Sequence, residues 1–365
     1  MKTVPKPLGK STASQATYAL VTLIVFIAAM LTVLLSACSS TSIEEPQSPV
    51  SADGDNLVIT LSTPETYTFP TSRADVTDIH AGHELRYTAI LYKSLGGTSP
   101  IGIDGKSTAD GEGNRVQRKE LLAKNGNQIV FKSVEKGDYF ILVFADYIDE
   151  NAELSGGHYA DKYYDTTSSP NYITIKRQEV EKEVLYFNNH NFDFFLNHTI
   201  KFTKEENKPQ VFNITLTRHV SQVQVIASSS GSIDALNKIK IKNWFVRDKL
   251  DLITETSSES KDIPQKNVEI DIANRASNLL FFFYTFNVGE NGSMLDVTRF
   301  ELMPNEGYQF SKKEHTLQNL IRPLPNIIYK VQGNFLSTSE VPSKVVDIKV
   351  TTDDKWHDEP QDVTN

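Results

Sequence analysis

The residue groups in this 365-residue chain whose types could do chemistry are few, and each fails a test of spacing. Gly102-Ile103-Asp104-Gly105-Lys106-Ser107 has the Gly-Lys-Ser end of a phosphate-binding loop. The first glycine of G-x-x-x-x-G-K-S would stand at residue 100, which is Pro100, and a polar, glycine-rich stretch follows where a helix should begin. Without a helix N-terminus nothing aims backbone amides at a phosphate. Asp110, Glu112 and Asn114 have calcium-loop spacing, but the turn position is Arg115 in place of Gly and the twelfth is Leu121 in place of Glu, which describes a solvated loop. His80 and His83 form H-x-x-H without the glutamate of H-E-x-x-H or an assignable third ligand, a surface-loop pair before it is a zinc site. No G-x-S-x-G and no dinucleotide fingerprint occurs. Carboxylate pairs cannot be placed from spacing, which leaves a glycosidase open. The expectation is a protein that is not an enzyme, with no metal, no cofactor and no nucleotide requirement.

The remaining candidate is the sole cysteine, Cys38. One cysteine excludes a disulfide framework and any multi-cysteine metal site. Ahead of it, residues 2–10 carry Lys2, Lys6 and Lys10 and no acid, and Tyr18 to Ala37 is an uncharged, mostly apolar run of 20 residues. A basic start, an apolar stretch and small residues at its end describe an export signal, although 20 residues could also span a bilayer. Leu35-Ser36-Ala37-Cys38 decides between them. It looks like the lipobox of bacterial lipoproteins, in which the signal is removed and the cysteine is acylated. Residues 1–37 are therefore expected to be a lipoprotein signal peptide, and Cys38 the lipidated residue. Two or three acyl chains hold stably where one holds marginally, at about 0.8 kcal/mol per buried methylene. Residues 38–56, rich in Ser, Pro and acids, read as a polar tether.

What must position any site is then a β framework. The chain is 39% hydrophobic and 23% charged, which excludes a disordered or collagen-like chain. The 46 acidic residues exceed the 37 basic ones, for a net charge of −9, a poor match to a nucleic-acid backbone. After residue 56, helical periodicity is almost absent, and short runs of Val, Ile, Thr, Tyr and Phe alternate with Gly, Pro, Asn and Asp clusters. Leu57, Ile59 and Leu61 alternate with Val58, Thr60 and Ser62, the pattern of a strand with one buried face. Tyr139 to Ala145 is apolar on both faces and should be a central strand. Glu135-Lys136-Gly137-Asp138 before it reads as a hairpin turn back to Gln128–Val134. From Phe212 the apolar parity switches near Ser221-Gln222, which predicts a β-bulge. Lys238, Lys240 and Lys242 form a solvated face opposite Ile239 and Ile241. Residues 98–124 read as a long polar loop. A polar break near Asn207-Lys208-Pro209 divides the strands, so two β-sandwiches are expected, at residues 57–207 and 208–365.

Several segments also resemble the fimbrillins, the lipoprotein-derived subunits of type V fimbriae, and their anchor relatives. They are the lipobox at Cys38 with its tether, the isolated strand Leu57–Ser62 followed by Thr71-Ser72-Arg73-Ala74, and the strand Glu84 to Tyr92. Gly137 to Tyr147, Tyr163-Tyr164-Asp165-Thr166 and Asn191-Phe192-Asp193-Phe194-Phe195 are the most specific, and Ile214 to Val220 opens the second half. The chain departs from the pattern with Phe144 where many relatives have Trp, and with Phe194 where they have Ala. The resemblance implies two transthyretin-like β-sandwiches in tandem. It also implies a structural subunit of an adhesive surface fimbria, exported to the cell outer membrane through a lipid on Cys38, with other fimbrial subunits as partners and host or bacterial surface ligands as targets. A protease would cut after Arg73, leaving Ala74 as the new terminus. The strand carrying Leu57, Ile59 and Leu61 would leave, to be replaced by a neighbour's strand.

Two alternatives stand beside this one. An anchor or tip subunit would keep its lipid. A surface glycan-binding lipoprotein would present exposed aromatic platforms, for which the tryptophans are Trp244 and Trp356.

Overall fold

The computed structural model describes residues 54–63, 79–94, 115–168, 172–176, 186–228, 233–243, 247–252, 254–258, 267–287, 298–318, 320–338 and 348–353. Residues 51–365 form one compact unit. The described residues make an all-β, multi-sheet sandwich of 22 strands and three short 3-10 turns. In the first half these are β1 (Leu57–Ser62), β2 (His83–Lys93), β3 (Arg115–Leu122), β4 (Gln128–Phe131), β5 (Gly137–Asp149), β6 (Leu154–Ser155), β7 (His158–Tyr159), β8 (Tyr164–Asp165), β9 (Tyr172–Ile175), β10 (Phe194–Lys204), β11 (Gln210–Thr215) and β12 (Thr217–Arg218). The second half contributes β13 (Val220–Ala227), β14 (Leu236–Asn243), β15 (Lys249–Asp251), β16 (Ser257–Ser258), β17 (Val268–Ile270), β18 (Leu279–Phe286), β19 (Thr298–Pro304), β20 (Glu314–Leu317), β21 (Ile328–Gly333) and β22 (Lys349–Asp353).

A five-stranded sheet in the order β12-β10-β5-β2-β3 lies at the centre of the first half. β5 is its middle strand and is buried from Tyr139 to Ile148, as its two-sided apolar run requires. Side chains alternate across a strand, and here the alternation separates two cores. Tyr139, Ile141, Val143, Ala145 and Tyr147 enter a smaller core shared with a three-stranded sheet, β11-β1-β4. Phe140, Leu142 and Phe144 enter a larger core that continues into the second half. There the sheets β18-β13-β21-β22 and β17-β14-β19-β20 pack, and β16-β15-β9-β8 joins strands from both halves.

Three local expectations fail. Glu135–Asp138 is not a hairpin turn: β4 pairs with β1, while β5 pairs with β2 and β10. Ile129 and Phe131 of β4 face Tyr139 and Ile141 across the small core, so the connection is an arch between sheets. No bulge lies at Ser221–Gln222, because Val220 to Val225 run in regular register against Phe286 to Phe281. β13 is instead buried on both faces from Val220 to Val225, so Val220 and Val223 lie on opposite sides of one regular strand, which the chain enters after His219 from β12. Residues 98–124 are not all loop, since Arg115–Leu122 is the β3 edge strand paired along β2. Lys238 and Asn237 are solvent-facing beside buried Ile239, and Lys242 pairs with Glu301 and Glu314 at 3.0 and 2.8 Å.

β18 ends its sheet in the strand order, yet all eight of its residues are buried. The segment at Tyr186–Phe192 covers its outer edge. Asn188 takes the place of a partner strand: its backbone N–H donates to the Phe282 carbonyl and its side-chain oxygen accepts from the Phe282 N–H, both at 3.0 Å. Its φ of 59° lies in the left-handed region that asparagine tolerates.

Candidate functional site

β1 is the middle strand of its sheet, between two segments distant in sequence. It runs parallel to β11 over six residue pairs, from Leu57 opposite Gln210 to Ser62 opposite Thr215. It runs antiparallel to β4 over four pairs, from Leu57 opposite Phe131 to Thr60 opposite Gln128. Leu57 and Ile59 are 0% exposed and Leu61 is 1% exposed, all in the small core. The strand predicted to have one buried face has it, and Val58 on the other face is buried too. Asn127 secures the far end, with its carbonyl accepting from the Leu61 N–H at 2.8 Å and its side-chain amide donating to the Leu61 carbonyl at 3.1 Å. The facing strands β2, β5 and β10 hydrogen-bond to one another and not to β1. The occupant can thus be distinguished from the frame: β1 closes a groove whose opposite wall is a separately bonded sheet.

The near end is held by Asp55. Its carbonyl accepts from the Val134 N–H at 3.0 Å. Its carboxylate Oδ1 accepts from the Asn207 N–H at 2.7 Å and from Lys204 Nζ at 3.2 Å. Spacing alone did not single out this pair, because the partners are 149 residues apart.

The charged residues of the resembling segments have another role. Arg86 is completely buried in β2 and donates Nε and Nη2 to the two oxygens of Asp146 in β5, at 3.0 and 2.8 Å. Nη2 also reaches Asp161 Oδ1 at 2.7 Å, and Nη1 donates to the Tyr159 carbonyl at 3.0 Å. Glu120 of β3 stands 3.5 Å from Arg86 and accepts from Arg118 Nη2 at 2.6 Å. Burial pushes the Asp146 carboxyl up, against the pull of Arg86, to about 6. Burial also opposes the Arg86 charge, but Asp146, Glu120 and Asp161 outweigh it and hold the guanidinium above its ordinary value. Near the passage between halves, Arg218 forms a second two-pronged pair with Asp193, at 2.5 and 2.8 Å, and its guanidinium carbon lies 5.1 Å from the Phe195 ring centre. The side chains of Arg86, Glu120 and Asp146 are fully buried, and their ion pairs join β2 to β3 and β5. Asp146, Asp193 and Arg218 lie in the segments Gly137 to Tyr147, Asn191 to Phe195 and Ile214 to Val220, whose spacing does not reveal the pairs. The available signal was a charge inside an otherwise apolar run, which must find a partner.

His80 and His83 do not converge on a metal. His80 Nδ1 meets Asn191 Oδ1 at 2.8 Å, and His83 Nδ1 lies 3.1 Å from Asn191 Nδ2 while its Nε2 meets the Tyr163 hydroxyl. The His80 ring stacks on Tyr147 at 3.7 Å. Among the described residues no group of three or more His, Cys, Asp or Glu is arranged to hold a metal. Leu121, the twelfth position of the calcium-like spacing, lies in β3. Cys38, Arg73, Ala74, Asp110, Glu112, Asn114, Trp244, Trp356 and the segment at 102–107 lie outside the described residues. Among the described residues the large apolar side chains most exposed are Leu154, Val211, Tyr308 and Leu324, of which Tyr308 alone is aromatic.

Fold and site together define an all-β sandwich protein with its first strand inserted between strands from later in the chain. The chain belongs to a family of unknown function, DUF6562, whose model matches residues 49–365. No curated protein matches it. Among solved structures it is similar to the fimbrial anchor protein Mfa2 from Porphyromonas gingivalis, at 9% identity over 81% of this chain and 96% of that one, with a TM-score of 0.42. It is also similar to the tip fimbrial protein Mfa3 from the same organism, at 11% identity over 81% and 98% with a TM-score of 0.39. A fimbrial assembly protein from Parabacteroides distasonis ATCC 8503 matches at 12% identity over 82% and 97%, with a TM-score of 0.36.

Proposed function

We propose that the chain is a structural subunit of an adhesive cell-surface fimbria, exported as a lipoprotein on Cys38 and assembled by exchange of its first strand. The observation that carries this is the placement of β1 as the middle strand of a small sheet, its apolar face buried against a separately bonded five-stranded wall. Burying Leu57, Ile59 and Leu61 contributes about 5–9 kcal/mol at most, from roughly 1.5–3 each. Loss of the strand would expose those pockets and the unpaired backbone of β4 and β11, which an added strand satisfies by β-augmentation. Cleavage after Arg73 would free the body from Cys38 and from β1 in one step. On this arrangement the subunit has two sandwich lobes, with transthyretin-like topology, meeting around His219. Its partners are other subunits of the fibre, and its location is the outer membrane before maturation and the fimbria after it.

The test is to isolate surface filaments and sequence the first residue of this subunit, alongside an Arg73→Ala strain. Ala74 at the terminus, with filaments lost in the variant, is the expected result. A terminus at Cys38 in assembled filaments would instead make this chain a lipid-retaining anchor.

A further inference from the structure

We infer that Lys204 and the Asn207 amide form a carboxylate socket at the mouth of the β1 groove. The socket selects an occupying strand with an acidic residue two positions before its first buried apolar side chain. This deepens the strand-exchange proposal and rests on it.

Lys204, the last residue of β10, is completely buried. Its ammonium has three hydrogens and the structure gives it three acceptors. Two are backbone carbonyls of the turn that follows, Glu205 at 2.6 Å and Lys208 at 2.7 Å. These belong to the frame, so the ammonium is held in place whether or not β1 is present. The third acceptor is Asp55 Oδ1 at 3.2 Å, and it arrives with the strand. Asn207, in the same turn, has φ of 54° and donates its N–H to the same oxygen at 2.7 Å. The left-handed conformation, which asparagine accepts more readily than most residues, belongs to a turn that directs two donors at one point.

The sequence Asp55-Asn56-Leu57-Val58-Ile59-Thr60-Leu61 then reads as an address. Leu57, Ile59 and Leu61 supply affinity without discrimination, because apolar pockets distinguish similar aliphatic side chains weakly. A slip by two residues in one direction puts Leu57 at the socket and Thr63 in the place of Leu61, and in the other it puts Asp53 at the socket and Asp55 in the place of Leu57. Either slip moves the Asp55 carboxylate about 7 Å from the socket, at ~3.3 Å per residue, and the second also places it in an apolar pocket. Lys204 is buried while the Asp55 side chain is 38% exposed, so an occupant with Asn at this position still offers an oxygen but leaves the buried ammonium without its counter-charge. The socket therefore favours an acidic occupant, and the socket and the apolar pockets together set its register. The partner that fits is an extended strand with the pattern acidic-x-apolar-x-apolar-x-apolar, entering in the same direction as β1.

The experiment uses the full chain with a specific protease site placed between β1 and β2, folded and then cut, so that β1 stays docked without a covalent link. A fluorescent peptide of residues 53–63 is added in excess, and its capture is followed by anisotropy. Three further peptides carry Asp55→Asn, Asp55→Glu and Asp53→Asn. The native and Asp53→Asn peptides should exchange in with similar affinity, although the latter loses the same charge. The Asp55→Asn peptide should bind at least tenfold more weakly, with Asp55→Glu between. In the Lys204→Met protein the Asp55→Asn penalty should fall below twofold. The peptide series on the unsubstituted protein decides the question even if Lys204→Met does not fold. Equal capture of the native and Asp55→Asn peptides would overturn the socket while leaving strand exchange intact. Capture of no peptide, under conditions where the cut protein unfolds and refolds, would overturn strand exchange and the socket with it.

Discussion

Arg86 and Arg118 face three carboxylates, Glu120, Asp146 and Asp161, inside the protein, so one negative charge exceeds the positive ones. Asp146 takes the strain, its carboxyl raised to about 6 by burial against the pull of Arg86. A carboxyl raised above its unfolded value binds its proton more tightly in the folded state. Its stabilising contribution is therefore complete below about pH 4 and is lost as pH rises through about 6. Asp146→Asn removes the excess charge, leaving two guanidinium groups and two carboxylates. The variant should gain stability relative to the parent as pH rises from 4 to 7, read as the difference in urea midpoint at each pH. A pH-independent difference would contradict the assignment. Arg218 is the opposite case, one guanidinium against one carboxylate. Arg218→Met strands the buried Asp193 charge and should cost about 3–5 kcal/mol in chemical denaturation, while Arg218→Met with Asp193→Leu should cost less, because no charge is left unpaired. A double variant no more stable than the single one would show that packing, not charge, sets the cost.

Among the elements, β1 carries the functional weight because it is short, central and connected to distant segments. Ile59 is paired with Phe212 on one side and Ile129 on the other and has no exposed surface. Ile59→Ala should destabilise the fold by about 2–5 kcal/mol through the lost transfer energy and the cavity left behind. Val211, on the adjacent strand β11, is 56% exposed, and Val211→Ala should stay within about 0.5 kcal/mol. Thermal or urea unfolding of the two variants checks this, and similar values for both would mean that β1 is not packed as described. His219 marks the other decisive element boundary. It follows the two-residue strand β12 and precedes β13, so one backbone position hands the chain from the central sheet of the first half to that of the second. Its Nε2 lies 3.2 Å from Glu255 Oε2, and Glu255, with φ of 53°, also meets His198. Burial pushes the Glu255 carboxyl up, but the two histidines more than offset it and hold it below its ordinary value.

For the whole molecule, the proposed lipidation and release follow from where the covalent chain runs. Cys38 precedes β1, and Arg73 lies between β1 and β2. A cut there would end the covalent link of Cys38 and the first strand to every remaining sheet at once. Cys38→Ala should abolish incorporation of a fatty-acid analogue and leave the signal uncleaved or miscleaved, as seen by metabolic labelling and mass spectrometry. Labelling that persists in the variant would exclude Cys38 as the acylated residue.

Much of this was legible in the sequence because it depends on residues close together. The alternation at Leu57, Ile59 and Leu61 requires a strand with a buried face, and the two-sided apolar run from Tyr139 requires a strand covered on both faces; side-chain direction repeats every two residues and needs no tertiary context. The expected export signal and the lipobox-like pattern at Cys38 are also local, and they lie outside the described residues. Strand pairing is not local. Gln128–Phe131 and Gly137–Asp149 satisfy every rule for a hairpin, yet they lie in facing sheets because Ile129 and Phe131 are buried against the same core as Tyr139 and Ile141. The parity change near residue 221 reads as a bulge, and the same pattern arises in a regular strand buried on both faces. Arg86 with Asp146, Arg218 with Asp193 and Lys204 with Asp55 are 60, 25 and 149 residues apart. The local pattern determined which residues must be buried. Only the tertiary structure decided which charges are buried beside one another, because that depends on which distant strands become neighbours.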